Sequence, residues 1–179
     1  MTMNPADIFS GPGRLAGLGA RAGGAIRDVK ARTAPADYGW YPYDSLGLLP
    51  LVGELLEPVY GEVVGPLRRL PLADLGCGDG DLGAVFAWGG VVVDAIDHME
   101  TNYNQMRGVT LLSESLGLPM NVFDIDLDTG CALPRPDYGL GLFLGTLYHL
   151  KNPISALERL SKHCDWCVLG TRVARVTPA

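Results

Sequence analysis

The sequence predicts an α/β domain on a doubly wound, mostly parallel sheet, and three observations carry that reading. From residue 70 onward, short apolar runs alternate with helical stretches. The runs are nearly continuous in apolar residues, the pattern of strands buried on both faces. The first run ends in a glycine-rich turn, "LADLGCGDGDLG" (72 to 83), of the kind that joins a strand to a helix beside a ligand. A chain of 179 residues, 47% of them hydrophobic, is long enough for one domain with a substantial core.

Residues 12 to 33 place Leu15, Leu18, Ala22, Ile26 and Val29 at helical spacing, although Gly17, Gly19, Gly23 and Gly24 weaken the helix. The next piece, "DYGWYPYDSLG", crowds Tyr38, Trp40, Tyr41 and Tyr43 together; such aromatics anchor an arm onto a core or line a pocket mouth, and anchoring is the expectation. "LLPLVGELLEPVYGEVV" predicts one helix, or two broken near Pro58. Residues 1 to 69 are thus a helical arm and aromatic-rich cap, and 70 to 179 the ligand-binding domain.

Within the second part the predicted strands are 69 to 75, 90 to 97, 120 to 125, 138 to 145 and 166 to 171. Helices are expected at about 81 to 88, 102 to 116 and 153 to 163. Asn152 can cap the last of them, with Pro153 in its first turn and Ile154, Leu157 and Leu160 on one face. Thr101 or Asn102 can cap the middle one, and Asn102, Tyr103 or Asn104 can instead reach the ligand.

The glycine turn admits two ligands. Gly78-x-Gly80-x-x-Gly83, with Asp97 downstream, is the literal dinucleotide fingerprint, which would make the protein an NAD(P)-dependent oxidoreductase. A second match, Gly17-x-Gly19-x-x-Ala22, follows no strand and lacks the mechanism. Asp79 and Asp81 argue against a pyrophosphate: like charges about 4 Å apart repel by roughly 4 kcal/mol at an effective dielectric near 20, and no neighbouring residue in the sequence is basic. S-adenosylmethionine has no phosphate and carries a sulfonium and an ammonium, so an acidic glycine loop suits it.

Here the chain resembles the class I S-adenosylmethionine-dependent methyltransferases over roughly Leu70 to Thr171. Asp74-x-Gly76-x-Gly78-x-Gly80 matches their first motif, and Asp97, ending "VVVDAID", matches their second. The resemblance implies a cofactor site of Asp74, Gly76, Cys77, Gly78 and Gly80, with Asp97 on the ribose hydroxyls and His98 beside it. An acid after the third strand would accept from the adenine amino group; "FDIDLD" offers Asp124, Asp126 and Asp128, of which Asp126 is chosen, with Ile125 packing on the base. "LFLGTLYHLKNP" is similar to the "LYH" segment of a branch that includes tRNA wobble-uridine carboxymethyl-transferring enzymes. That implies Leu144 and Gly145 at the cofactor and Tyr148 and His149 at the substrate. His149 is the candidate base, a role suited to a side chain that titrates near neutrality.

The family's sheet has seven strands with a final hairpin, whereas here "RVARVTPA" follows the fifth. The expectation is a C-terminally incomplete domain, or a partner chain, a dimer or the N-terminal arm covering the fifth-strand edge. A non-catalytic member of the fold is a further reading.

The formal charge of −6 falls entirely in residues 70 to 179, which hold seven basic and thirteen acidic side chains. An acidic body is a poor partner for a phosphate backbone, so a small-molecule acceptor is expected over tRNA. The first 35 residues are locally basic, read as a solvated helix face. Four scattered cysteines, no leader-like N-terminus and no long apolar run predict a soluble, unexported, cytoplasmic protein with reduced thiols. "CDWC" lacks the further ligands of a zinc site, and two ordinary buried thiols are expected there.

Overall fold

The computed structural model describes residues 14 to 129 and 132 to 173. The described part opens with helix α1 (Arg14–Arg32), then α2 (Leu49–Leu56) and α3 (Tyr60–Leu67), with 3-10 turns at Ser45–Leu48 before α2 and at Glu57–Val59, where Pro58 stands. Strands and helices then alternate: β1 (Leu72–Leu75), α4 (Asp81–Trp88), β2 (Val93–Asp97), α5 (Arg107–Leu116), β3 (Met120–Asp124), β4 (Tyr138–Leu144), α6 (Pro153–Leu160) and β5 (Cys164–Gly170). All five predicted strands form, and they pair in parallel in the order β3-β2-β1-β4-β5. The order reverses between β1 and β4, so a crevice opens there at the carboxyl ends of the strands.

Residues that alternate along β1 go to opposite faces. Leu72 joins Val93, Leu140, Leu142 and Val168 under α4, and Ala73 and Leu75 join Ile96 and Phe143 under α6. The apolar stripe of α1 (Leu15, Leu18, Ala22, Ile26, Val29) belongs to the first of these cores, against Leu82, Val85 and Phe86 of α4. Of the glycines that weaken α1 as an isolated helix, Gly19 faces α2: a Cβ there would stand 2.9 Å from Leu49 Cδ1, and that side chain would have to turn away.

Two expected caps differ from what forms. Asn152 makes no side-chain cap; instead Asp128 Oδ1, from the loop after β3, accepts the Lys151 and Asn152 N–H groups at 2.8 and 3.0 Å. Helix α5 begins five residues later than expected, because residues 98 to 106 form a run of turns tied by asparagine side chains. On β2, buried Asp94 accepts from Arg135 Nε (2.6 Å), Tyr138 Oη (2.9 Å) and Asn121 Nδ2 (2.8 Å), which pins the β3–β4 loop to the sheet. Cys164 is half-buried and Cys167 exposed, not buried as expected. Three residues apart on one strand they face opposite sides and cannot pair. Cys131 lies outside the described residues. No helix among the described residues is long and apolar enough to cross a membrane.

Candidate functional site

The turn after β1 is held in a left-handed conformation at Gly76, Gly78 and Gly80, with φ of 68°, 58° and 77°. Gly76 needs its missing side chain for a second reason. A Cβ there would run into Thr146 Oγ1, which reaches across from the loop after β4 and donates to the Leu75 carbonyl at 3.4 Å. The direction a side chain on Gly78 would take leads instead to the ring of Tyr41, 3.7 Å away. Gly78 is therefore the point at which the loop faces the crevice.

Two carboxylates support this loop. Asp74, buried in β1, accepts the Gly83 N–H at 3.0 Å through Oδ2, satisfying a donor of the first turn of α4. Burial above all pushes its pKa up to about 7; the Gly83 N–H works against this, and the charges of Asp97 and Asp81 add to it. Asp97, at the end of β2, accepts the Gly78 N–H at 2.9 Å and Asn102 Nδ2 at 2.9 Å through Oδ2, and the His98 N–H at 2.8 Å through Oδ1. Burial raises its pKa, and those three donors lower it. The buried Cys77 thiol sits in the same turn, its pKa raised well above the ordinary value, chiefly by burial.

The two acids that the sequence sets against a phosphate share one counter-ion, which weakens the charge argument. Lys30 Nζ, from α1, lies 3.0 Å from Asp79 Oδ2 and 2.8 Å from Asp81 Oδ2. Those carboxylates are only 2% and 7% exposed, and they face the arm. Asp79 also accepts the Tyr41 N–H at 2.7 Å and Asn104 Nδ2 at 2.7 Å. The basic side chain assigned to a solvated helix face is thus an internal counter-ion. Its position four residues after Ile26, at the margin of the apolar stripe, was the available signal, but α1 had to be docked before the partners could be seen. What opposes a pyrophosphate is Asp74, because its carboxylate already occupies the anion position at the N-terminus of α4.

The structure separates the three polar residues after β2. Asn104 is fully buried and bridges Asp79, the Gly39 carbonyl (3.3 Å) and the Gly108 N–H (3.0 Å). Asn102 lies on Asp97 and on the Gly78 carbonyl (3.3 Å), and its Oδ1 accepts the Met106 N–H at 2.8 Å. Tyr103 points outward to an aromatic group, its ring centroid 5.9 Å from that of Tyr41.

The other expected site residues fall around the same crevice. Asp124 accepts the Met99 N–H at 2.8 Å, and Asp126 accepts the Asp128 N–H at 2.9 Å, so the former braces the β2 turn and the latter its own loop. Ile125 is half-buried against the α6-side core. Leu144 ends β4, and Gly145 follows with φ of 78°. Tyr148 and His149 lie in a 3-10 turn, Leu147–His149, with ring centroids 4.2 Å apart. Among the described residues the His149 ring makes no hydrogen bond. His98 Nδ1 is 3.5 Å from Thr101 Oγ1, and His163 Nδ1 is 2.9 Å from the Pro136 carbonyl oxygen. No group of three or more metal-ligating side chains forms among the described residues.

No protein-family model and no curated protein matches the chain. Solved structures do. Monomeric WbdD is 21% identical with a TM-score of 0.53, over 74% of this chain and 32% of that one. A second structure, of the bifunctional kinase-methyltransferase WbdD, is 19% identical with a TM-score of 0.51, over 78% and 33%. EvdMO1 is 17% identical with a TM-score of 0.52, over 76% and 32%. The chain thus spans about a third of the length of these proteins. With its five parallel strands in the order β3-β2-β1-β4-β5 and helices on both faces, the chain has the Rossmann-like fold of the S-adenosylmethionine-dependent methyltransferases.

Proposed function

We propose that the chain binds S-adenosylmethionine in the crevice at the ends of β1, β2 and β4, and moves its methyl group to an oxygen or nitrogen of a small-molecule acceptor. One observation carries this reading. A carboxylate at the end of β2, Asp97, is tied to the Gly78 N–H of a left-handed glycine loop whose anion position is taken by buried Asp74. That donor set fits a cationic nucleoside and disfavours a diphosphate. A buried carboxyl raised to about 7 gains a counter-charge from an ammonium or a sulfonium.

The bound cofactor would supply a methyl carbon made electrophilic by the sulfonium. Asp97 would accept from the ribose hydroxyls, with His98 beside it, while Asn102 keeps the carboxylate in place. Asp126 and Ile125 would address the base. Gly76, Cys77, Gly78, Gly80, Leu144 and Gly145 would line the cofactor. His149, its ring nitrogens free of hydrogen bonds among the described residues, would take the acceptor's proton, with Tyr148 as the wall beside it. Much of the acceleration would come from alignment by the loops after β1 and β4, which Thr146 locks together.

Calorimetric titration with S-adenosylhomocysteine, with NAD in parallel, tests the reading. The expected result is that wild type binds S-adenosylhomocysteine, that Asp97→Ala does not, and that NAD gives no heat. NAD binding would restore the oxidoreductase reading, which the Lys30 ion pairs make less repulsive than the sequence suggests. Retained S-adenosylhomocysteine binding in Asp97→Ala would remove the assigned role of that carboxylate.

A further inference from the structure

Beside the crevice, three elements bring together four tyrosines that no fold requirement explains. Tyr41 and Tyr43 come from the segment after α1, with ring centroids 5.3 Å apart and planes at 55°. Tyr103, from the β2–α5 turns, meets Tyr41 edge-on at 76°. Tyr148 follows β4 in the loop that Thr146 ties to the β1 turn, the same turn that meets Tyr41 at Gly78. Tyr43, Tyr103 and Tyr148 remain 65%, 52% and 40% exposed, and none of the four hydroxyls bonds to a described residue. Exposed rings gathered at one place mark a binding surface.

The group is fixed in place. The Tyr41 backbone is anchored on Asp79, and Trp40 donates to the Thr33 carbonyl at 2.8 Å with the Lys30 ammonium 5.1 Å from its ring centroid. At its edge Arg172, just after β5, places its guanidinium carbon 5.0 Å from the Tyr148 ring centroid, and the His149 ring lies tilted against the same ring with centroids 4.2 Å apart. A cationic ligand would meet Arg172, whereas an anionic one would pair with it. Of the acids around it, Asp79 holds Lys30, the Tyr41 N–H and Asn104, Asp44 accepts the Leu46 N–H, and Asp97 belongs to the cofactor site.

We propose that the methyl acceptor is a small planar aromatic bearing a hydroxyl and an anionic group, stacked among Tyr41, Tyr43, Tyr103 and Tyr148, with its charge on Arg172. This rests on the methyltransferase reading above. The acceptor oxygen bonds to the methyl carbon as the carbon–sulfur bond breaks with its electron pair going to sulfur, and the hydroxyl proton passes to His149.

The test is calorimetry on the full chain, first with S-adenosylhomocysteine alone and then, at saturation, with para-hydroxybenzoate, para-hydroxybenzamide, tyramine or methyl glucoside. We expect para-hydroxybenzoate to bind best. Arg172→Gln should weaken it about tenfold, the scale of one charge-assisted contact, and leave para-hydroxybenzamide unchanged. Tyr103→Ala and Tyr43→Ala, both at exposed positions, should weaken both aromatics. Preference for tyramine or methyl glucoside, no binding of any probe, or indifference to Arg172→Gln overturns the proposal and leaves the cofactor reading standing. Failure of S-adenosylhomocysteine to bind overturns both.

Discussion

Lys30→Met is the most informative single change away from the crevice. It leaves the methylene stem and removes a charge held 3.0 and 2.8 Å from two carboxylates that are almost fully buried. Removing one partner of a buried pair costs about 3–5 kcal/mol when the remaining charge is unsatisfied. Asp79 keeps the Tyr41 and Asn104 donors, but Asp81 keeps nothing, because its other oxygen, Oδ1, is buried with no partner among the described residues. The expected loss is therefore at the lower end, about 3 kcal/mol at pH 8, or a fall of roughly 6–12 °C in Tm for a chain of this size. The pH dependence identifies the cause. Burial already raises Asp81 above its ordinary pKa and Lys30 lowers it, so without Lys30 the native carboxyl holds its proton to higher pH than the unfolded one. Native protein then binds more protons than unfolded between those two pKa values, and stability declines as pH rises through that window. Thermal melts followed by circular dichroism at pH 5.5 and 8 should show a smaller loss at the lower pH, and Lys30→Met/Asp81→Asn should recover most of it. A loss under about 0.5 kcal/mol, the scale of an ordinary surface substitution, or one equal at both pH values, would refute the reasoning.

Other predictions concern the loop and its supports. Asp74, raised to about 7, should make wild type lose stability as pH climbs from the ordinary carboxylate range to about 7. Asp74→Asn should remove that slope in urea titrations, and S-adenosylmethionine binding at pH 6 should release a proton, read as a buffer-dependent calorimetric heat. Gly76→Ala should destabilise by about 2 kcal/mol or more, since it combines a left-handed φ with a clash on Thr146, and Thr146→Ala should relieve only part of the clash, because Thr146 Cβ would still stand 2.7 Å away. Asn102→Ala should weaken S-adenosylhomocysteine about tenfold, the scale of one hydrogen bond to a charged group, and should also lower Tm, because its Oδ1 holds the Asn104 and Met106 N–H groups. Asn104→Ala should lower Tm, because it leaves the buried Asp79 Oδ1 and the Gly108 N–H of α5 without that partner.

The sheet was legible because strands buried on both faces are written as unbroken apolar runs, and its helices because their stripes and glycine stops are local. Boundaries failed where side chains from elsewhere intervene. Asp128 starts α6 from 24 residues away in sequence, and the asparagine-tied turns delay α5. Asp74, Gly76, Gly78 and Asp97 could be placed together because the motif fixes their order along consecutive strand ends. The partners of Asp79 could not. Lys30, Tyr41 and Asn104 are 49, 38 and 25 positions away and meet only when α1 lies along α4. The acids were therefore read as free charge when they are internal salt.

That meeting at Asp79 has a practical consequence for recombining this protein with others of its fold. A chimera that takes residues from Leu70 onward and a foreign leading segment would inherit two carboxylates whose counter-ion stayed behind, and an α4 surface shaped for a stripe no longer there. A graft has to carry Lys30, Gly39, Tyr41, Asp79, Asp81 and Asn104 as one set, since a crossover between any of them divides a single joint.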